Sequence, residues 1–248
     1  VGGDGSAHPG VWCSTLVTSP VNCNTRSKTD WRYPVPTIDF NQVSGTLCTI
    51  KKAAFAANAS TASLATLANA CSQTPNTQTN AYIPQRSSSA NNSRGYYINL
   101  NSNNTYDLYT VNNVKDTMTD YSSALSPTLV ATNIAVPANG VIFAEDNVWV
   151  RAGTTFSGRL TLASGRLATS VTTNLTIVDN LKYSTKNGSD AIGLMAEGDI
   201  WIAPYAPPTT SSFTFEVNAA VIAGTGNVFY PSNYTFSNTT CTRGWVSP

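Results

Sequence analysis

Two pairs of carboxylates carry most of the chemistry this sequence could perform. Glu145/Asp146 follows Val141-Ile-Phe-Ala144, and Glu197/Asp199 follows Gly193-Leu-Met-Ala196, so the pairs fall at equivalent positions of two similar segments. If those segments stack, the acids line one edge. Paired acids on a β surface can cleave glycosidic bonds or hold calcium for a lyase, with Arg166 or Lys182 as a neighbouring cation. The competing reading is structural, because Asp and Asn at tight corners hydrogen-bond their own backbone and tolerate left-handed geometry. The corner reading is preferred, and no catalytic residue is assigned. As corner residues, Glu145 and Glu197 are expected at the surface, where truncation changes stability little.

Other centres are poorer. A Ser/His/Asp or Cys/His arrangement needs a histidine, and the sole one, His8, lies in the turn-like Gly5-Ser-Ala-His-Pro-Gly10 with nothing to fix its tautomer. Gly224-Thr-Gly226 lacks the flanking helix of a phosphate loop and reads as a strand corner. With one histidine and no CxxC pair, a zinc site is not expected, and no metal or other cofactor is assigned.

The elements that must position the acids repeat along the chain. Val141–Val150, Gly193–Ile202 and Ala220–Tyr230 each read as a short apolar strand, an Ala, a Gly/Asp/Asn turn and a second strand. Gly158–Arg166 supplies the first half of the same unit, and Asn174–Tyr183 a second half. The anchoring alanines Ala144, Ala163, Ala196 and Ala223 are spaced by 19, 33 and 27 residues. Repeats of this size must stack to bury their apolar faces. The expected fold is therefore all-β: a parallel β-solenoid (β-helix) with one flanking helix or helical hairpin. Its strands should pair in parallel, and the four alanines should form one column.

Around this region the chain reads as one continuous domain with five parts. Residues 1–43 form an extended Gly/Pro/Ser/Thr-rich segment stapled by Cys13 and Cys23. Residues 44–72 are helical: Leu47, Ile50, Lys51, Ala54, Phe55 and Ala57 fit a 3.6-residue period, with a break near Asn58–Thr61. Residues 73–138 hold a polar loop and a β-hairpin, Gly95–Leu100 and Thr105–Val111, turned by Asn101-Ser-Asn-Asn104. Residues 139–230 are the repeats, and 231–248 a tail.

Composition narrows the class. Only 11% of the 248 residues are charged and the net charge is +1, so no field attracts nucleic acid or an anionic membrane. No stretch approaches the roughly 18 apolar residues of a membrane span. The five cysteines fit disulfides in an oxidising compartment. The economical pairing is Cys13–Cys23 and Cys48–Cys71, leaving Cys241 free or paired elsewhere, although spacing does not fix connectivity. Seven Asn-x-Ser/Thr sequons begin at Asn58, Asn91, Asn103, Asn174, Asn187, Asn233 and Asn238, and matter only where the source glycosylates secreted chains.

An ordered set of motifs resembles a bacterial family: cell-surface proteins with a type IV prepilin-like N-terminal segment and a β-solenoid ectodomain, linked to pilus assembly. The set is Ile38-Asp-Phe40, Leu47-Cys-Thr-Ile-Lys-Lys-Ala53, Gly95–Leu100, Val136–Phe143, Val148-Trp-Val150, Gly158–Ala163, Asp179–Tyr183 and Ile192–Ile200. The hydrophobic N-terminal helix of such proteins is not among these residues, so the chain is expected to be an ectodomain, a processed piece of a longer protein. The cysteines are not part of the pattern. The resemblance implies an extracellular, non-enzymatic structural or adhesive module. Its partners would be pilus or other surface subunits, with a surface glycan or host receptor as further candidates. A polysaccharide-acting β-helix enzyme and a phage tail-fibre-like spike are the alternatives.

Overall fold

The computed structural model describes residues 43–86, 94–114, 121–206, 215–230, 234–236 and 239–241. All of them belong to the unit Phe40–Pro248. Cys13, Cys23 and His8, and the expected extended segment before residue 43, lie outside the described residues.

The chain begins with helix α1 (Val43–Ala56), a short α2 (Ala62–Ala65) and a 3₁₀ turn at Ala70–Ser72. The expected break falls between α1 and α2. Cys48 and Cys71 are bonded with Cα atoms 5.2 Å apart, so the 3₁₀ turn is tied back to α1. Closing a loop of 23 residues contributes about 3 kcal/mol through the unfolded state.

Next come β1 (Tyr82–Ile83), β2 (Gly95–Leu100), β3 (Thr105–Val111), α3 (Tyr121–Leu125) and β4 (Thr128–Ala135). The alternating region follows: β5 (Val141–Ala144), β6 (Asn147–Ala152), β7 (Arg159–Ser164), β8 (Leu175–Ile177), β9 (Ala191–Ala196), β10 (Ile200–Ile202), β11 (Ala220–Ala223) and β12 (Val228–Phe229). A small antiparallel pair, β13 (Tyr234–Phe236) and β14 (Thr239–Cys241), follows.

The strands build two sheets. One has five strands in the order β1-β5-β7-β9-β11, all parallel. The other has seven in the order β12-β10-β8-β6-β2-β3-β4. It is parallel from β12 to β2 and antiparallel from β2 to β4. From β5 to β12 successive strands alternate between the sheets.

This corrects the expected fold class. An all-β, closed parallel β-solenoid does not form; the arrangement is open, with one parallel and one mixed sheet and few helices. Two features of the chain account for the difference. Each passage supplies two strands and then runs into irregular backbone, at 165–174 and 178–190 for example, instead of closing with a third strand. The β2–β3–β4 meander extends one sheet in antiparallel fashion beyond the repeats. The parallel sheet is covered by α1 in the manner of α/β proteins, where a helix buries the sheet's second face.

The column of alanines is corrected as well. Ala144 pairs with Ser164, Ser164 with Ala196, and Ala196 with Ala223. Ala163 is one residue out of step, opposite Phe143 and Met195. A one-residue offset turns a side chain to the other face of a strand, so Ala163 packs under α1 with those two residues. Ile142, Leu160, Leu162, Leu194 and Ala196 of one sheet meet Val148, Val150, Leu175, Ile177 and Ile200 of the other in the main core. The outer face of the seven-stranded sheet carries Tyr97 and Trp149, covered by Ala124 and Leu125 of α3 and by Tyr205.

Corners need specific backbone. Gly140 enters β5 at φ +68°, where a Cβ would lie 2.6 Å from the Arg159 carbonyl oxygen, so only glycine fits. The 184–190 corner is held by Asp190, whose carboxylate accepts from Gly158 N (2.9 Å), Thr185 N (2.7 Å) and Thr185 Oγ1 (2.9 Å). The Gly158 amide foremost, with Thr185 behind it, lowers the Asp190 pKa from the ordinary 3.8. A depressed carboxylate stabilises the fold above the unfolded-state pKa and loses that contribution as pH falls through the folded value. Thermal unfolding followed between about pH 5 and pH 2 should therefore show a shallower acid decline in Asp190→Asn than in the parent. Parallel declines would show that the corner carboxylate is not held as described.

Candidate functional site

The sequence assigns no active centre, but the structure gathers its best acids into one polar cluster. It lies where the C-terminal ends of β1, β5, β7 and β9 meet α1. By the register of the parallel sheet, Glu145, Gly165 and Glu197 occupy equivalent places just past Ala144, Ser164 and Ala196. Glu145 and Glu197 thus stand two rungs apart, with the Gly165–Arg166 turn between them.

Helix α1 supplies the first cation. Its buried stripe reads Leu47, Lys51, Ala54 and Phe55 at i, i+4, i+7 and i+8, so Lys51 is forced inward with its apolar neighbours. Lys51 Nζ contacts Glu145 Oε1, and both side chains are sealed from solvent. The same Nζ donates to the Cys71 carbonyl at 2.9 Å. The Phe55 and Phe143 ring centres each lie 5.7 Å from it. Tyr82 on β1 brings its hydroxyl toward Glu145, yet neither that hydroxyl nor either Glu145 oxygen reaches hydrogen-bond geometry. Burial, more than any partner, sets the electrostatics. Desolvation lowers the Lys51 pKa against the pull of Glu145, and raises the Glu145 pKa against the pull of Lys51. Both shifts favour the uncharged pair.

Arg166 supplies the second cation. Its Nη2 meets Asp146 Oδ1 at 2.9 Å, its Nε donates to the Glu145 carbonyl at 3.2 Å, and its backbone N donates to Glu197 Oε2 at 2.7 Å. One residue therefore ties together both sequence-predicted pairs. Asp146 also accepts from the backbone N–H of Arg86 (3.2 Å) and of Asn147 (2.9 Å). Its pKa is nevertheless raised, because burial outweighs the Arg166 charge and the backbone donors. Burial likewise raises Glu197. Beside Arg166, Ser164 Oγ bonds Thr173 Oγ1 at 2.7 Å and the Asp146 carbonyl at 2.9 Å.

Asp199 stands apart from this cluster. Its Oδ1 accepts from Asn227 N at 2.8 Å, and its own N–H donates to Asn174 Oδ1 at 2.8 Å. Asn147 Oδ1 accepts from Asn174 N at 2.9 Å. These four residues immediately precede β6, β8, β10 and β12, so they form one ladder climbing the corner of the seven-stranded sheet. Asp199 is thus equivalent to Asn147 and not to Asp146, which corrects the expected pairing. Gly226 leaves room for the ladder: a Cβ there would lie 2.2 Å from Asp199 Oδ1. Gly224-Thr-Gly226 is the strand corner expected.

The corner reading holds for Asp199 and fails for Glu145, which is fully buried instead of at the surface. Lys182, the other cation considered, acts on Glu216 instead of the cluster. Sequence reasoning missed the roles of Lys51, Tyr82 and Arg86. A readable signal existed for Lys51, since a lysine inside an apolar stripe at helical spacing demands a buried acid. Tyr82 and Arg86 lie far from the repeats in sequence and gave none.

Chemically, the cluster is closed. Its acids are engaged by cations or backbone donors, and Glu145, Asp146 and Arg166 are buried. Among the described residues no group of three or more His, Cys, Asp or Glu side chains converges on a metal position. A separate polar cleft of about 500 Å³ opens beside the β2–β3 turn, lined by Asn101, Asn103, Asp107, Thr132, Asn133 and Thr154.

Removing one partner of a buried ion pair strands the other charge. Lys51→Met should therefore lower the unfolding free energy by about 3–5 kcal/mol in urea titration. A loss below about 1 kcal/mol, the usual worth of an exposed pair, would contradict the sealed geometry.

Comparison of the chain with known families, curated proteins and solved structures finds no match, so the functional reading rests on the chain's own residues.

Proposed function

We propose that this chain is a non-enzymatic, extracellular structural and adhesive module, displayed on a bacterial surface and associated with pili. The observation that carries the non-enzymatic reading is the fate of the carboxylates. A glycosidase needs two acids facing a substrate-sized gap. Here Glu145 and Asp146 are sealed into ion pairs with Lys51 and Arg166, and Asp199 is spent on a backbone ladder. The Cys48–Cys71 bond supports an oxidising compartment. No described helix is long and apolar enough to cross a membrane. The pilus association rests on the motif resemblance alone.

The adhesive part of the reading places a glycan in the cleft at Asn101, Asp107, Asn133 and Thr154, whose amides, hydroxyl and carboxylate match sugar hydroxyls as donors and acceptors. Asp107 also braces the cleft, accepting from Asn101 Nδ2 (3.1 Å) and Asn133 N (2.8 Å). On a glycan array the chain should bind a subset of neutral glycans without releasing product, and Thr154→Trp, which fills the cleft from its rim, should abolish that binding. Turnover of a polysaccharide by the parent that disappears in Asp199→Ala would overturn the reading.

A further inference from the structure

We propose that Lys51 and Glu145 join covalently, forming an intramolecular isopeptide bond that fastens α1 to the end of β5.

The argument begins with polar groups that have no place to go. Two Glu145 oxygens and the Tyr82 hydroxyl are buried without hydrogen-bond geometry, in a site otherwise fully accounted for. Native interiors leave few such groups. Lys51 Nζ is the one polar group in contact with the carboxylate, and its other bond goes to the Cys71 carbonyl. Formation of the amide resolves this arrangement atom by atom. The Lys51 nitrogen bonds to Glu145 Cδ, and one Cδ–O bond breaks. That oxygen leaves as water with two of the three ammonium protons. The third proton stays on the amide nitrogen and keeps its bond to the Cys71 carbonyl. The remaining oxygen is a single carbonyl, and the Tyr82 hydroxyl is the donor that faces it. No oxidant, reductant or co-reactant takes part.

The surroundings favour the reaction in three ways. Two charges sealed from water carry a desolvation penalty that an uncharged amide does not. Burial lowers Lys51 and raises Glu145, so proton transfer within the pair yields the neutral amine and carboxylic acid, the forms that condense. Reacting groups held in contact by a fold behave as if at effective concentrations on the order of 10⁵–10⁸ M. The walls are the rings of Phe55 and Phe143 and the ring of Tyr82, itself 4.8 Å from Phe55, so water that would reverse the step is excluded. The Cys48–Cys71 disulfide presses the Cys71 carbonyl against Lys51 from the other side. This inference concerns the site itself and does not depend on the proposed adhesive role.

The test is mass spectrometry of the purified, folded chain after reduction, denaturation and trypsin digestion. The bond predicts an intact mass one water lighter than the sequence. It also predicts a branched peptide in which Lys51, resistant to trypsin, is joined to the peptide containing Glu145, residues 116–151. Lys51→Arg keeps the charge but lacks a condensing amine, and should have its full sequence mass. The proposal is overturned if the parent has its full mass, or if linear peptides show cleavage after Lys51 with Glu145 unmodified. It is equally overturned if the water loss persists in Lys51→Arg. Should that variant fail to fold, the branched peptide of the parent decides alone.

Discussion

A parallel sheet must hide both faces, and in this chain the outer face of the five-stranded sheet is hidden by α1. That requirement places Lys51 in the core, because it sits on the same stripe as Leu47, Ala54 and Phe55. An unpaired buried ammonium would cost several kcal/mol. The position of Glu145 follows from this constraint: the residue just past β5 turns inward to meet Lys51 and does not remain at the corner. Arg166 then serves the carboxylate next to it, and its backbone serves Glu197. The polar cluster is therefore a consequence of how the helix docks.

The acids divide into two structural tasks. Glu145, Asp146 and Glu197 close the junction between helix and parallel sheet. Asp199 joins Asn147, Asn174 and Asn227 in the ladder that fixes the register of β6, β8, β10 and β12. Such ladders satisfy backbone donors at each corner with short side chains, so a chain with only 11% charged residues can still pair its buried backbone. The Asn and Thr that displace charge from the composition are thus partly explained by the corners they build.

Much of the local structure was legible in sequence. The period-2 apolar runs ending in Ala144, Ala196 and Ala223 mark β5, β9 and β11, and Asn101–Asn104 marks the turn of the β2–β3 hairpin. The 3.6-residue stripe marks α1, and the spacing of Cys48 and Cys71 anticipates their bond. The closed solenoid was not correct, because strand periodicity reports which residues face a core and is silent on whether a coil closes. Ala163 was placed in the wrong column because an Ala next to a Ser gives no local cue to which of the two faces inward. The carboxylates were placed by analogy of position, which holds for Glu145 and Glu197 but not for Asp146 and Asp199. Burial of Glu145 depends on Lys51, 94 residues earlier, and no local pattern encodes that distance.

The central claim is that the Lys51–Glu145 contact holds α1 against the parallel sheet. Hydrogen–deuterium exchange on the Glu145→Ala variant tests it most directly. The account predicts that amides of α1, β1 and β5 lose protection while those of β2 and β6, in the other sheet, keep theirs. Parent-like protection throughout α1 in a folded variant would contradict it.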